Sequence, residues 1–269
     1  MPLEQSLISL WHLHDIKLLT STAERILYTA VQGPTNIPVV IKHTQKESIF
    51  LQELTALKAF QRYGMVKLLA YDEEHNALLL TSAQPGTPLS EYFPAQDAES
   101  IAAASGLINR LHHAPTHLTH QPPTLKNWLR GLFEPKASTL IPHKLLTASK
   151  ECALRLFAQS TTSVLLHGDL HHDNILHDGN AWVAIDPKGL IGDPAYEIAP
   201  LLCNPIDKFA SLANQELKKI LVQRISQLSV LVASSIRAKK RSFPGDWYTP
   251  PRLPAGQKKM DKHLTSGSI

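Results

Sequence analysis

The chain has 269 residues, 43% hydrophobic and 19% charged, the make-up of an ordinary soluble globular protein with enough material for one large domain or two lobes. Its net charge of +4 is concentrated at one end: residues 237–269 carry eight Lys/Arg against Asp246 and Asp261, while the other 236 residues carry 19 Lys/Arg against 21 Asp/Glu. That distribution excludes a basic nucleic-acid footprint spread over a folded face. The absence of a long apolar run excludes a bilayer-spanning helix.

In chain order, the opening "MPLEQSLISLWHLHDIKLL" lacks the basic region and small-residue cleavage site of a signal peptide. With only Cys152 and Cys203, no disulfide framework is implied, and a cytoplasmic location is expected. Residues 16–44 read as strands around a small polar loop: "DIKLL", "TSTAER", the alternating "ILYTAVQ" and the β-branched "IPVVIKHT". "KESIFLQELTALKAFQRYG" predicts a helix with Ile49, Phe50, Leu54, Leu57 and Phe60 on one stripe and Gly64 as its stop. "MVKLLAYDEEHNALLLTSA" predicts two strands around a polar turn, and "QPGTPLSEYFPAQ" punctuates with three prolines.

From Asp97 the chain turns helical. "DAESIAAASGLINRLHHA" has helical spacing with Asp97 as its expected N-cap, and "HKLLTASKECALRLFAQS", "EIAPLL" and "NQELKKILVQRISQLSVLVASSI" follow. The expected architecture is therefore α+β: a β-rich lobe over residues 1–90, a helical lobe over 91–241, and an atypical tail over 242–269. Cys152 and Cys203 are expected to serve packing rather than chemistry, and Trp182 to serve as a core or lobe contact.

Between the helices lies "VLLHGDLHHDNILHDGNAWVAIDPKG", residues 164–189. Asp178-Gly179-Asn180 is a hairpin turn signal, and folding there sets Asn174 level with Ile185 and Asp186. An amide oxygen and a carboxylate converging from two segments suit Mg²⁺, which takes its remaining ligands from water and substrate phosphates. Asp169, in the loop before the hairpin, is placed to accept a proton from an attacking hydroxyl. The rival reading is a zinc site from His167, His171, His172 and Asp169. The helix their spacing would need is opposed by Gly168 and the hairpin.

His167-Gly168-Asp169 to Asn174, followed by a strand-ending Asp186, is the catalytic-loop order of the kinase fold. The full run "HGDLHHDNIL … WVAIDPKGLIGDPAYEIAPLL" closely resembles the aminoglycoside/hydroxyurea phosphotransferase family, in particular its streptomycin 6-phosphotransferase type. The resemblance is specific over about 164–205 and looser, by arrangement of elements, from the N-terminus to about 230. It implies a two-lobed, protein-kinase-like fold and a small-molecule kinase using ATP and Mg²⁺, with Asp169 as the base and Asn174 and Asp186 on the metal.

Such a fold needs a strand lysine on the phosphates, and Lys42 ends "VVIK". Glu53, beside the buried stripe of the next helix, is its expected partner, because an unpaired carboxylate there is costly. The loop Thr20-Ser21-Thr22-Ala23 replaces a glycine-rich turn, with Ser21 and Thr22 as candidate phosphate contacts. Adenine is expected against the backbone near Leu80–Ala83. Asp193 is expected to cap a helix and, by the resemblance, to brace the catalytic loop, while Glu197 faces acceptor or solvent.

The expected partner is a small cationic acceptor such as an aminoglycoside, with neither nucleic acid nor membrane; nothing in the sequence sets the oligomeric state. The alternatives are a kinase-like nucleotide-binding protein with little turnover, or a kinase for a cellular alcohol such as choline. The resemblance implies further amphipathic helix after about residue 230, closing a wall of the acceptor pocket. Here "SFPGDWYTPPRLPAGQKKMDKHLTSGSI" has four prolines and no helical apolar stripe. Disorder from about Ser242 and weak acceptor turnover are expected, with the wall lost or replaced, for instance by a changed reading frame.

Overall fold

A computed structural model describes residues 3–34, 36–118, 120–135, 137 and 141–242, with 231–242 given as backbone. The expected disorder of the chain after Ser242, and the fate of the helical wall there, lie outside the described residues.

Five antiparallel strands make the first lobe: β1 (Leu13–Ser21), β2 (Arg25–Gln32), β3 (Ile37–Thr44), β4 (Leu68–Asp72) and β5 (Ala77–Thr81), in the order β1-β2-β3-β5-β4. The two-residue period of a strand gives this sheet two different faces. Val39, Ile41, Tyr28, Ala30 and Leu79 pack with Leu7 and Trp11, which belong to a short helix α1 (Gln5–Leu10) and its end. That helix was not anticipated: six residues carry too little periodicity to register. On the opposite face, Leu27, Val40 and Leu80 line a cavity together with Lys42.

Helix α2 (Glu47–Phe60) follows β3. It inserts Phe50, Leu54, Leu57 and Phe60 into the main core, which continues through Leu78 and Leu80 into Leu165, Leu170, Ile175 and Ala184 of the second lobe. One apolar cluster thus runs through both lobes beneath the cleft. Burial of this kind contributes roughly 1.5–3 kcal/mol for each large side chain.

The second lobe contains strand β6 (Pro85–Pro88), helices α3 (Asp97–Leu111), α4 (Leu125–Trp128) and α5 (His143–Gln159), strands β7 (Val164–Leu166), β8 (Ile175–Asp178), β9 (Ala181–Ala184) and β10 (Leu190–Gly192), and helices α6 (Ala199–Cys203), α7 (Ile206–Phe209) and α8 (Asn214–Ser242). β8 and β9 form the hairpin expected from Asp178-Gly179-Asn180, with β6 added on the β8 side. β7 pairs antiparallel with β10. Among the described residues no helix is long and apolar enough to cross a membrane.

Two local expectations are corrected and a third holds. Asp97 is the first residue of α3 and makes no capping bond, because its carboxylate is gripped by Arg224 of α8. Arg224 is fully buried, bonds to the Leu201 and Asn204 carbonyls, and lies over the tilted pair of rings of Phe93 and Phe209, 5.2 and 5.4 Å from their centroids. A buried guanidinium needs this full set of acceptors, and meeting it pins α8 to α3. Cys152 and Cys203 are exposed and free, not packed inside. They sit on the solvent sides of α5 and α6, whose inward positions are taken by Leu146 and Leu201. Trp182 does pack against the core, edge-on to Tyr92 at 5.4 Å.

Candidate active site

The register of β3 carries Lys42 into the cleft, opposite Leu27 on β2 and Leu78 on β5. Its Nζ donates to Glu53 Oε1 at 2.8 Å, from α2, and makes a short bond to Asp186 Oδ1. Lys42 and Glu53 are both almost wholly buried. Burial by itself lowers the pKa of the Lys42 ammonium, but Glu53 and Asp186 outweigh it and hold the group above its ordinary value. The group is a cation at neutral pH.

Asp186 is reached from three directions. Besides Lys42, Arg25 Nη1 donates to Oδ2 at 2.6 Å and Lys188 Nζ to Oδ2 at 3.4 Å. Burial would raise this carboxyl, yet Lys42, Lys188 and Arg25 hold it well below the usual carboxylate range. Its backbone is left-handed, with φ of 59°. That conformation costs on the order of 1–3 kcal/mol for a residue with a side chain, and persists where surrounding contacts over-determine it.

The hairpin register pairs Ile175 with Ala184, and the Ile185 amide donates to the Asn174 carbonyl at 3.0 Å. Asn174 and Asp186 therefore line the same cavity of about 360 Å³, whose other walls include Leu27, Val40, Leu80, Leu176 and the Ser82–Gln84 backbone segment. Asn174 uses its amide nitrogen on the Asp169 carbonyl at 2.9 Å, so its oxygen is the atom left for a ligand.

Asp169 is not among the residues lining this cavity; its side chain is partly exposed, and Lys188 Nζ stands 3.4 Å from its Oδ2. The loop that carries it is held from behind. Gly168, at φ of 85°, has Leu190 carbons 2.9 Å from where a Cβ would stand, which accounts for glycine in a place where protein kinases have arginine. His167 is buried; its Nδ1 accepts from the Asp169 amide at 3.3 Å and its Nε2 donates to the Ile185 carbonyl at 2.8 Å. Burial lowers its pKa, so the ring is neutral. Both nitrogens are engaged, and among the described residues no cluster of three or more His, Cys, Asp or Glu forms a metal site. The zinc reading has no geometry behind it.

Two side chains trade roles. Asp193 caps its short helical turn, accepting from the Ala195 amide at 2.9 Å. The brace is Glu197, fully buried rather than facing acceptor or solvent: it accepts from the His167 amide at 2.7 Å and the Gly168 amide at 3.0 Å, with His112 Nε2 3.7 Å away. Burial would raise its pKa, but His112, His167 and the Gly168 amide bring it below the usual value. Its only sequence signal is its place one turn after Asp193.

A second cavity of about 260 Å³ shares Arg25, Lys42, Glu53 and Asp186 with the first and adds Lys188; Ser21 and Thr22 line neither. Ser21 ends β1, and the Thr22 hydroxyl is taken up by its own turn, accepting from the Glu24 and Arg25 amides. Arg25, three residues on, enters both cavities instead. It and Lys188 were overlooked because neither position is marked by periodicity. Their shared partner, Asp186, lies far along the chain from Arg25.

His171 and His172 are also unlike each other. His171 accepts from the Asp173 amide, whereas His172 is fully buried with neither ring nitrogen hydrogen-bonded. Burial, followed by the charges of Arg224, His171 and Lys208, pushes His172 down to about 3. The unfolded chain binds this proton near pH 6.5. The contribution of His172 to stability is thus fully present above about pH 6.5 and lost as pH falls toward 3, by up to ~1.4 kcal/mol per pH unit. In urea unfolding at pH 7 and pH 4.5, His172→Phe should lose about 2–3 kcal/mol less than wild type between the two conditions. Equal losses would show that His172 is protonated in place.

Residues 10–236 match the sequence model of a family described as aminoglycoside/hydroxyurea antibiotic resistance kinase. The chain is 33% identical over 162 residues to a streptomycin 6-kinase of Streptomyces griseus, covering 55% of this chain and 49% of that protein. It is 34% identical over 167 residues to a hydroxyurea phosphotransferase of Kitasatospora aureofaciens, covering 56% and 46%. The chain therefore spans about half the length of the curated relatives it matches.

Among solved structures, an amicoumacin kinase in complex with AMP-PNP and Ca²⁺ superposes with a TM-score of 0.61 at 16% identity, over 86% of this chain and 78% of that one. An aminoglycoside phosphotransferase in ternary complex with ADP and hygromycin B gives 0.56 at 15% identity, over 90% and 99%. At such identities the likeness establishes the two-lobed kinase-like fold and no more. The sequence match is what reaches further: it takes in the sheet, the cleft and the catalytic-loop segment together, and by it the chain belongs to the aminoglycoside/hydroxyurea antibiotic resistance kinase family.

Proposed function

We propose that the protein is a small-molecule kinase that moves the γ-phosphoryl group of ATP to a hydroxyl of a cationic acceptor of the aminoglycoside class, streptomycin-like in kind. The observation that carries this reading is the convergence of Lys42, Glu53, Asn174 and Asp186 on one cavity of about 360 Å³, with Asp169 linked through Lys188 to Asp186 in its wall. Residues 1–90 form the nucleotide lobe and 91–241 the acceptor lobe. Adenine lies between Leu27, Val40 and Leu176, against the Leu80–Ala83 backbone. Lys42, held by Glu53, binds phosphate oxygens.

Asn174 and Asp186 offer the hard oxygen donors that suit Mg²⁺ and would hold it; when bound, the ion neutralises charge on the β- and γ-phosphates. Asp169 orients the acceptor hydroxyl and takes its proton. Glu197 keeps that carboxylate in place by fixing two consecutive amides behind it.

Over residues 1–236 acids exceed bases by two, which favours a cationic acceptor. The test is phosphate transfer over streptomycin, other aminoglycosides, hydroxyurea, choline and neutral sugars, repeated over a salt series. Transfer to an aminoglycoside, with KM rising as salt rises, is the expected result. Strong phosphorylation of a neutral sugar with none of any aminoglycoside would overturn the acceptor assignment. Nucleotide binding without turnover on any member of the panel would favour a binding-only protein.

A further inference from the structure

Lys188 occupies a place that neither the expected catalytic set nor the fold requires it to fill. Its backbone is fully committed: the Lys188 and Gly189 amides donate to the His167 carbonyl at 2.8 and 3.1 Å, and the Lys188 carbonyl accepts from Gln52 of α2 at 2.5 Å. Gly189, at φ of 63°, closes the turn where a Cβ would come 2.7 Å from Ala56. The segment is thus locked to the catalytic loop on one side and to α2 on the other. The side chain takes no part in that locking. It is 31% exposed, and its Nζ stands 3.4 Å from Asp169 Oδ2 and 3.4 Å from Asp186 Oδ2.

These two carboxylates have opposite duties in the reading proposed above. Asp169 faces the attacking hydroxyl, and Asp186 belongs with the metal and the nucleotide phosphates. The group in transit passes between them. A cation within reach of both is where the equatorial oxygens of a transferring phosphoryl group gather negative charge. Lys42 lies deeper, paired to Glu53, and Arg25 touches Asp186 without touching Asp169.

We infer that Lys188 is a catalytic residue whose ammonium leaves its two carboxylate contacts to bind the γ-phosphoryl oxygens as they move from ADP to the acceptor. In that step the bond from the β–γ bridging oxygen to the γ-phosphorus breaks and its electron pair stays on ADP. The bond from the acceptor oxygen to phosphorus forms, and the hydroxyl proton passes to Asp169. Lys188 gives up no proton; it balances charge that is greatest in the transition state. Because the charge it meets develops during transfer, its effect falls on kcat rather than on nucleotide affinity.

This inference rests on the kinase reading, and the experiment separates the two. Lys188→Met and Lys188→Arg are compared with wild type by calorimetry of the non-hydrolysable analogue AMP-PNP with Mg²⁺, by thermal unfolding, and by transfer kinetics on whichever acceptor wild type phosphorylates. The expected result for Lys188→Met is AMP-PNP affinity within about 3-fold of wild type, an unchanged melting temperature, and kcat lower by roughly 10²–10³. Lys188→Arg should recover at least tenfold of that loss, because it restores the charge. A wild type that transfers alongside a Lys188→Met variant within 3-fold of it in kcat overturns the inference and leaves the kinase reading standing. A loss traceable to AMP-PNP affinity or to unfolding, or one that Lys188→Arg leaves unrelieved, overturns it as well. Wild type silent on every acceptor removes both.

Discussion

Asp169→Asn should leave nucleotide binding within a few-fold of wild type and lower turnover by roughly 10²–10⁴, the usual scale for a positioned base. The change keeps size and shape. It removes the carboxylate proposed to accept the hydroxyl proton, while the loop geometry does not depend on it: the Asp169 amide is held by His167 and its carbonyl by Asn174, both through backbone atoms that Asn retains. The measurement is AMP-PNP calorimetry beside steady-state transfer. Near-normal turnover in the variant would show that the hydroxyl loses its proton elsewhere, and Asp169 would drop out as the base.

Asp186→Ala should abolish the tightening of ATP binding by Mg²⁺, and Asn174→Ala should weaken it. The physical ground is the hairpin register, which brings an amide oxygen and a strongly acidic carboxylate to one wall of the cavity. Removing Asp186 still leaves Lys42 paired with Glu53 at 2.8 Å, so no buried charge is stranded and the lobe should hold together. Calorimetry of ATP with and without Mg²⁺ gives the answer. Wild-type tightening in both variants would place the metal elsewhere.

The two effects differ in kind, which makes them informative together. Loss of the proposed base would act on the chemical step with the nucleotide still bound, whereas loss of the proposed metal ligand would act before chemistry, on the nucleotide itself. A protein that only holds nucleotide would show the second effect and have no turnover for the first to reduce.

Much of the arrangement was legible along the chain because it is local. The Asp-Gly-Asn turn sets the β8–β9 register, and the register places Asn174 against Ile185 within one short hairpin. The β3 alternation aims Lys42 away from Val39 and Ile41, and a half-apolar helix following directly offers Glu53 as the buried group most in need of a cation. What escaped reading is non-local. Arg25 meets Asp186 across 161 positions of sequence. Glu197 meets the catalytic loop from a helical turn that reads as surface, and Asp97 looks like a cap until Arg224 arrives from α8. Thr22 is the reverse case, a hydroxyl that looked free for phosphate and is occupied by its own turn.

By itself, then, the sequence determined the main strands and helices apart from the short α1 and β6, the hairpin, and the family the chain resembles, since each depends on periodicity, turn chemistry or a short motif. Only the tertiary structure decided which charges surround Asp186, which carboxylate holds the loop, and that Lys188 stands between Asp169 and Asp186. Periodicity reports which face of an element is buried. It says nothing of which distant side chain fills the space opposite, because that depends on how separate elements pack, and a buried charge accepts any partner the packing brings within reach.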